Sequence, residues 1–486
     1  MTTAVEPRAA RRIRPDTYLF FFVLFALALF AGHAFLLDTP FYGDEMGQFV
    51  PAARDLWRDG AWVPHAAPST AQPPALAAYL AAVWRVAGDS IPATRIAMLA
   101  LASLAALFAF LLAIELARGA PGAPAFAAAA FLLAAPLFFA QSTMALPDVP
   151  AMLCAAVALL CFFQERLLAA ALASAVLVMV RETGLLVPAV LGGWLAYERR
   201  WRDAALFLIP AAPLAAWLTV LRGSGTPVAN PLDLVHAPVR VLRLLYYLLV
   251  ADFHWIGTAA LVFAWRRTGL FASRSWKAAG GLVAAYVLTF GVAGGAAPER
   301  HLLPVLPILY AAIAAALMYG PGWRRAAGIA VLTVGLAAGN FWNPPFPSPP
   351  ENNLAWTDFV RVQREAAQYL ERHYRAARIA TTRPLATALA HPEFGYVTHP
   401  LEVAELRDLL PETVRALDFG DTPVLVLFSR AREPRWGWMR FRDYREDITP
   451  LEVQAHLPVQ LVARWSSRGW WAEVYESEGR ARRPAP

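Results

Sequence analysis

Residues 17–37, TYLFFFVLFALALFAGHAFLL, form an apolar run without a charge, preceded by Arg8, Arg11, Arg12 and Arg14 and followed at once by DTPFYGDE, residues 38–45. As a helix rising about 1.5 Å per residue, the run covers about 30 Å, the thickness of a bilayer's hydrocarbon core. It is longer than the roughly 7 to 15 apolar residues of a secretory signal, and many similar runs follow it. It therefore reads as an uncleaved first transmembrane helix, with residues 1–16 as a basic cytoplasmic tail.

The rest of the chain agrees with that start. Its 486 residues are 58% hydrophobic and 16% charged, with a mean hydropathy of +0.43, which excludes a wholly soluble, disordered or coiled-coil protein. A net charge of +7 and a pI of about 9.6 would suggest nucleic acid in a soluble chain. Here the basic residues flank apolar runs, so they act as topology signals and no nucleic-acid partner is expected. With the tail in the cytoplasm, Arg118, Arg166, Arg199, Arg200, Arg202, Arg266, Arg267, Arg274, Lys277, Arg324 and Arg325 should lie on the same side. That holds for spans near 93–117, 122–141, 149–163, 167–181, 184–197, 203–221, 250–265, 277–296, 302–320 and 325–342. The expected fold is a polytopic α-helical membrane protein of about eleven transmembrane helices over residues 17–342, multi-pass in the cytoplasmic (inner) membrane.

Two segments should face the exterior. The loop 38–92 contains Trp57, Trp62, Pro64, Pro73 and Pro74, then a broken apolar stretch from Ala75 to Ala87, and is expected to hold helices along the outer membrane surface. A long structured loop is commonly functional. Residues 343–486 mix Arg, Glu and Asp with short apolar runs and read as a small α/β extracytoplasmic domain, periplasmic or extracellular. After the Pro-rich linker Asn343 to Pro350, an amphipathic helix is expected around Leu354 to Arg375. Strands should follow at Arg378 to Thr381, Pro423 to Phe428, Leu461 to Trp465 and Trp471 to Tyr475, the last two joined through Ser466 to Gly469. Cys154 and Cys161, seven apart on one helix, lie about 10 Å apart and beyond disulfide reach.

The acids carry the chemistry. Asp44, Glu45, Asp148, Glu182 and Glu299 all fall at exterior helix ends or just beyond them, so they can converge on one outer site. Gly43 lets the backbone turn one neighbouring carboxylate inward, and a carboxylate shielded beside lipid suits a general base that takes a proton from a hydroxyl. Each acid also has a plainer reading: a solvated loop acid for Asp44, a helix N-cap for Asp148, a charged turn for Arg181 and Glu182. Arg300 and His301 can hold an anion or anchor at headgroups. His65 can join Asp44 and Asp148 around a divalent metal, or simply be exposed. No Walker loop, dinucleotide fingerprint, HExxH or paired CxxC is present.

Six segments, in order, resemble the GT-C integral-membrane glycosyltransferases, in the branch of protein O-mannosyltransferases and lipid A aminoarabinose transferases. Tyr42 to Glu45 with Ala52 and Arg54 resembles the first-loop acidic motif, Gln72 to Leu76 a His/Lys-Pro-Pro-Leu segment, and Ala93 to Arg95 the Arg that opens the next helix. Ala145 to Pro150 resembles the second acidic motif, Arg181 to Leu185 a Lys-Glu-Thr-Gly-Leu segment, and Arg300 to Pro304 an Arg-Tyr-Leu-Leu-Pro helix start. The resemblance covers residues 17–342. It implies inverting transfer of a sugar from a polyprenyl-phosphate donor to an extracytoplasmic acceptor in a lipid environment. It nominates Asp44, Glu45 and Asp148 for catalysis, and Tyr42, Arg95, Arg181, Glu182, Arg300 and His301 for substrate binding. Gln72 departs from the usual Lys or His, and His301 from the usual aromatic, which bears on phosphate contacts and sugar preference. The rival is a transporter or flippase of lipid-linked sugars, which would place ionisable residues near mid-membrane in two related halves. The charges instead cluster at one face and no halves repeat.

Overall fold

The computed structural model describes residues 15–65, 72–223, 234, 236–293, 298–342, 349–430 and 447–478. The basic residues Arg8 to Arg14 and most of the Pro-rich linker lie outside them.

Among the described residues, four helices are long and apolar enough to cross a membrane: Asp16–Leu36, Ile91–Leu116, Trp201–Gly223 and Glu299–Leu317. A fifth crossing results if Ala237–Leu249 and Ala251–Arg267, bent by 47°, count as one span. Shorter apolar helices, Pro124–Ala134, Asp148–Phe163 and Leu167–Val180, pack among them. The expected count of eleven is not reached by this measure, because several apolar runs are broken. Pro136 splits the 122–141 run into Pro124–Ala134 and Pro136–Gln141, since proline has no N–H to donate and its ring clashes with the preceding turn. The 203–221 run is interrupted between Trp201–Leu206 and Ala211–Gly223, yet it still counts as the single crossing Trp201–Gly223. Helix Ala237–Leu249 was not expected, because Arg240 and Arg243 lower its hydropathy.

The helices meet through small residues. Ala102, Ala105, Ala106, Ala109 and Ala113 of Ile91–Leu116 are buried, as are Ala151, Ala155 and Ala158 of Asp148–Phe163, which packs against it. Between lipid-embedded helices the driving force is van der Waals packing, and alanine lets the backbones approach. One crossing is closer still. Asp252 and Phe253, at φ +50° and +66°, break the bent pair and lie on helix Gly322–Gly339, where a Cβ at Gly335 would meet Phe253 Cγ at 2.4 Å.

The C-terminal part is the expected α/β unit, with a mixed five-stranded sheet: β1 (Ile379–Thr382), β2 (Val403–Leu406), β3 (Val424–Phe428), β4 (Val459–Ser467) and β5 (Trp470–Ser477), in the order β2-β1-β3-β5-β4. β1 runs parallel to β2 and β3, while β5 is antiparallel to β3 and β4. The β4–β5 turn is two residues, Arg468 and Gly469, both at positive φ, as right-twisted hairpins favour. Helix Ala355–His373 lays Phe359 5.2 Å from the Trp470 ring. The same face meets the first loop: Leu36, Phe41, Met46, Val50, Leu80 and Trp84 share one apolar core with Trp356, Phe359, Leu385 and Tyr396. Among the described residues of 38–92, helices Val50–Asp59 and Ala75–Ala87 form, and this core covers them.

Candidate active site

The first loop is fixed from both sides. Gly43 takes φ +51° and turns the chain, a conformation that costs glycine little. Phe41 N–H donates to Phe394 O (3.1 Å), and Tyr396 Oη donates to Phe41 O (3.0 Å), so the α/β unit grips the loop by its backbone. Beneath it, Glu45 and Arg95 are both fully buried and paired. Glu45 also accepts from Ala145 N–H (2.6 Å) and Tyr42 N–H (2.8 Å). Arg95 also donates to Thr39 O (3.1 Å), Pro40 O (3.0 Å) and Thr143 O (2.9 Å).

The resemblance nominates Arg95 for substrate binding and Glu45 for catalysis; in the structure both side chains are at 0% exposure and engaged with the protein. The pair ties helix Ile91–Leu116 to the loop and to the segment before Asp148. Removing either partner from such a pair leaves a buried charge and costs about 3–5 kcal/mol.

Asp44 faces the other way. Its side chain is 36% exposed and its Oδ2 accepts from Arg300 Nη2 at 2.6 Å. Arg300 Nε lies 4.0 Å from Asp148 Oδ2, and Nη1 lies 3.8 Å from Glu351 Oε1. Asp148 opens helix Asp148–Phe163 but does not cap it. Its Oδ1 accepts from Arg181, and His301 Nδ1 lies 3.6 Å away. Arg181 Nη2 donates to His301 Nε2 (3.4 Å), which leaves the ring proton on Nδ1, toward Asp148. The structure thus brings Asp44, Asp148, Arg181, Arg300 and His301 together. Tyr42 borders them, half-buried, with its ring 5.3 Å from Phe359. Burial, reinforced by Glu351 and Asp44, raises its phenol well above the ordinary range and keeps it neutral. Glu182 sits in the 3-10 turn Glu182–Leu185 with Oε2 buried and unpaired.

Four buried atoms of the cluster, Asp148 Oδ2, Arg181 Nε, Arg300 Nε and His301 Nδ1, have no hydrogen-bond partner in the protein. Left unpaired, each costs about 1–3 kcal/mol, and such atoms call for an explanation such as a catalytic role or a bound polar group. Among the described residues no three His, Cys, Asp or Glu side chains are placed to hold a metal ion. Asp44 and Asp148 turn to guanidiniums, and His65 is exposed, with its backbone N–H donating to Asp55 (2.6 Å).

Sequence reading missed two features. Glu351, in the 3-10 turn Pro350–Asn352, reaches the cluster from the far side of the linker. Arg243 pairs with Glu299, and both line a mostly apolar cavity of about 580 Å³ together with Tyr246, Asp252, Phe253, Trp255 and Trp342. Such a cavity is within the usual size range of a ligand site.

The chain is a multi-pass membrane protein that shares the GT-C fold with solved membrane enzymes. The chain is similar in structure to ArnT from Cupriavidus metallidurans bound to undecaprenyl phosphate, at 15% identity over 95% of this chain and 98% of that one, with a TM-score of 0.57. It is similar to the Archaeoglobus fulgidus oligosaccharyltransferase at 10% identity over 85% and 70% of the two chains, with a TM-score of 0.51. It also resembles the arabinofuranosyltransferase AftD from Mycobacteria at 17% identity over 96% of this chain and 40% of that one, with a TM-score of 0.50. No family model and no curated protein matches it in sequence.

Proposed function

We propose that the chain is a glycosyltransferase that moves a hexosyl or pentosyl group, with inversion, from a polyprenyl-phosphate donor to a hydroxyl of a lipid, glycan or protein acceptor. The reaction takes place at the outer face of the cytoplasmic membrane, with the N-terminus in the cytoplasm and the α/β unit outside. The observation that carries this reading is the placement of Asp44. It is a partly exposed carboxylate 2.6 Å from the cation Arg300, whose chain neighbour Glu299 lines the apolar cavity.

Asp44 takes the proton of the acceptor hydroxyl as its oxygen attacks the anomeric carbon. The carbon–oxygen bond to phosphate breaks and its electron pair leaves on the phosphate, which needs countercharge more than a proton. Arg300 supplies that charge. A phosphate that draws Arg300 toward itself also frees the Asp44 oxygen. Asp148, held by Arg181 and His301, orients the sugar, and the aromatic walls of the cavity suit a prenyl chain. The undecaprenyl phosphate bound by the similar ArnT supports such a donor.

The test is transfer from radiolabelled polyprenyl-phosphate sugars by purified wild type and Asp44→Asn, with membrane extract as the acceptor source. Labelled product from wild type alone is expected. No product from any donor, with protein-dependent movement of donor across liposomes, would replace the enzyme with a lipid-linked-sugar transporter.

A further inference from the structure

Arg300 is shared by three carboxylates. Asp44 lies at 2.6 Å, Glu351 at 3.8 Å and Asp148 at 4.0 Å. Asp148 has a second cation in Arg181, so Asp44 and Glu351 are the two that compete for Arg300. With all three acids ionised, the two guanidiniums leave one negative charge in excess, which opposes an arriving phosphate anion. Glu299 and Arg243 cancel one another and do not change this balance.

Glu351 is the acid placed to give up its charge. Its side chain is 12% exposed, and Arg300 stands beyond hydrogen-bond distance. The other charged or titratable groups acting on it are Asp44, Glu299 and Tyr42, none of which favours its ionised form. Burial raises its pKa from the ordinary carboxylate value; Arg300 and a hydrogen bond from its own backbone N–H oppose the rise, while Asp44 and Glu299 add to it. Its backbone is fixed independently: Gln141 Nε2 donates to Glu351 O (3.1 Å), and Asn353 Nδ2 donates to Gly339 O and Trp342 O, both at 3.2 Å. A change of protonation therefore alters the charge beside Arg300 without moving the turn.

We propose that Glu351 is a proton-dependent positioning residue of this site: protonated, it releases Arg300 to an anionic phosphate, and ionised, it holds the guanidinium back and repels the anion. The proton comes from solvent as the phosphate binds and returns when it leaves. This rests on the donor reading above, and it makes the turn that leads into the α/β unit part of the phosphate site.

The experiment measures binding of undecaprenyl phosphate to the purified full-length protein in detergent between pH 5 and pH 9. Wild type, Glu351→Gln, Glu351→Ala and Glu351→Asp are compared, so ionisation of the lipid phosphate itself is common to all four. Wild-type affinity should fall with rising pH relative to Glu351→Gln and Glu351→Ala, by up to about tenfold per pH unit once Glu351 ionises. Glu351→Asp should restore the fall, which a merely structural role would not produce. Parallel curves for wild type and both neutral variants would overturn the role of Glu351. No binding by any of the four at any pH would overturn the donor reading, and this inference with it.

Discussion

Asp44 and Glu45 are neighbours in the chain that serve opposite partners: Asp44 turns a 36% exposed side chain to Arg300, while Glu45 is sealed against Arg95 at 0% exposure. Gly43 before them and the turn Glu45–Phe49 after them make this possible, because they point consecutive carboxylates to different sides of the loop. One acid is left chemically available, and the other fastens the loop that carries it.

This division predicts opposite phenotypes. Asp44→Asn should lower kcat by about 10²- to 10⁴-fold, the range of a positioned general base, with an unchanged unfolding temperature. Glu45→Gln leaves Arg95 as a buried unpaired charge and should cost about 3–5 kcal/mol, seen as a lower unfolding temperature and less folded protein. Turnover and thermal unfolding measured in one detergent decide it. A stable, inactive Glu45→Gln would return Glu45 to the chemistry.

Arg300 should be intolerant even of lysine. Its three nitrogens address three carboxylates at once, whereas an ammonium is a single point charge. Arg300→Gln should lower kcat/KM for the donor by about 10²- to 10³-fold, the cost of losing a donor to developing negative charge, and Arg300→Lys should recover only part of it. Full activity in Arg300→Lys would show that charge alone suffices.

The sequence made the gathering of Asp44, Asp148, Arg181 and Arg300 legible, because alternating Arg-rich loops put all four near one membrane face. Pair geometry was not legible. Nothing in the order of residues says that Glu45 rather than Asp44 takes the buried arginine, since that depends on the turn at Gly43 and on Ala145 N–H arriving from the bend before helix Asp148–Phe163. Glu351 was hidden for a different reason: it is 307 positions beyond Asp44 and only the fold returns it to Arg300. Strand β2 escaped because VAEL is four residues long with an exposed Glu405, too short to show alternation. Helix boundaries suffered where an apolar run continues through a proline, as at Pro136, since hydropathy does not register the lost N–H.

The α/β unit's grip on the loop should be felt in turnover. Tyr396→Phe removes the 3.0 Å hydrogen bond to Phe41 O and leaves a buried carbonyl unpaired, a loss of about 1–3 kcal/mol. Because that carbonyl lies three residues before Asp44, the variant should lower kcat several-fold while undecaprenyl phosphate binding stays near wild type. Steady-state turnover beside equilibrium binding checks it. Equal losses in both would mean that the grip shapes the phosphate site as well as the base.

The cavity makes the last prediction, on donor length. Ala338 lies on the exposed side of helix Gly322–Gly339 and lines the roughly 580 Å³ space, whose lining includes neither Asp44 nor Arg300. Ala338→Phe adds a ring to that space without touching a charged residue of the cluster. If the prenyl chain occupies the cavity, KM for a long-chain donor should rise about tenfold or more, because each displaced CH₂ forfeits about 0.8 kcal/mol of burial. A donor truncated to a short prenyl chain never gained that burial, so its KM should barely change. Turnover of both donors at saturation should match wild type, since the reacting groups are unaltered. An equal rise in KM for long and short donors would instead place the acceptor, or the sugar itself, in this cavity.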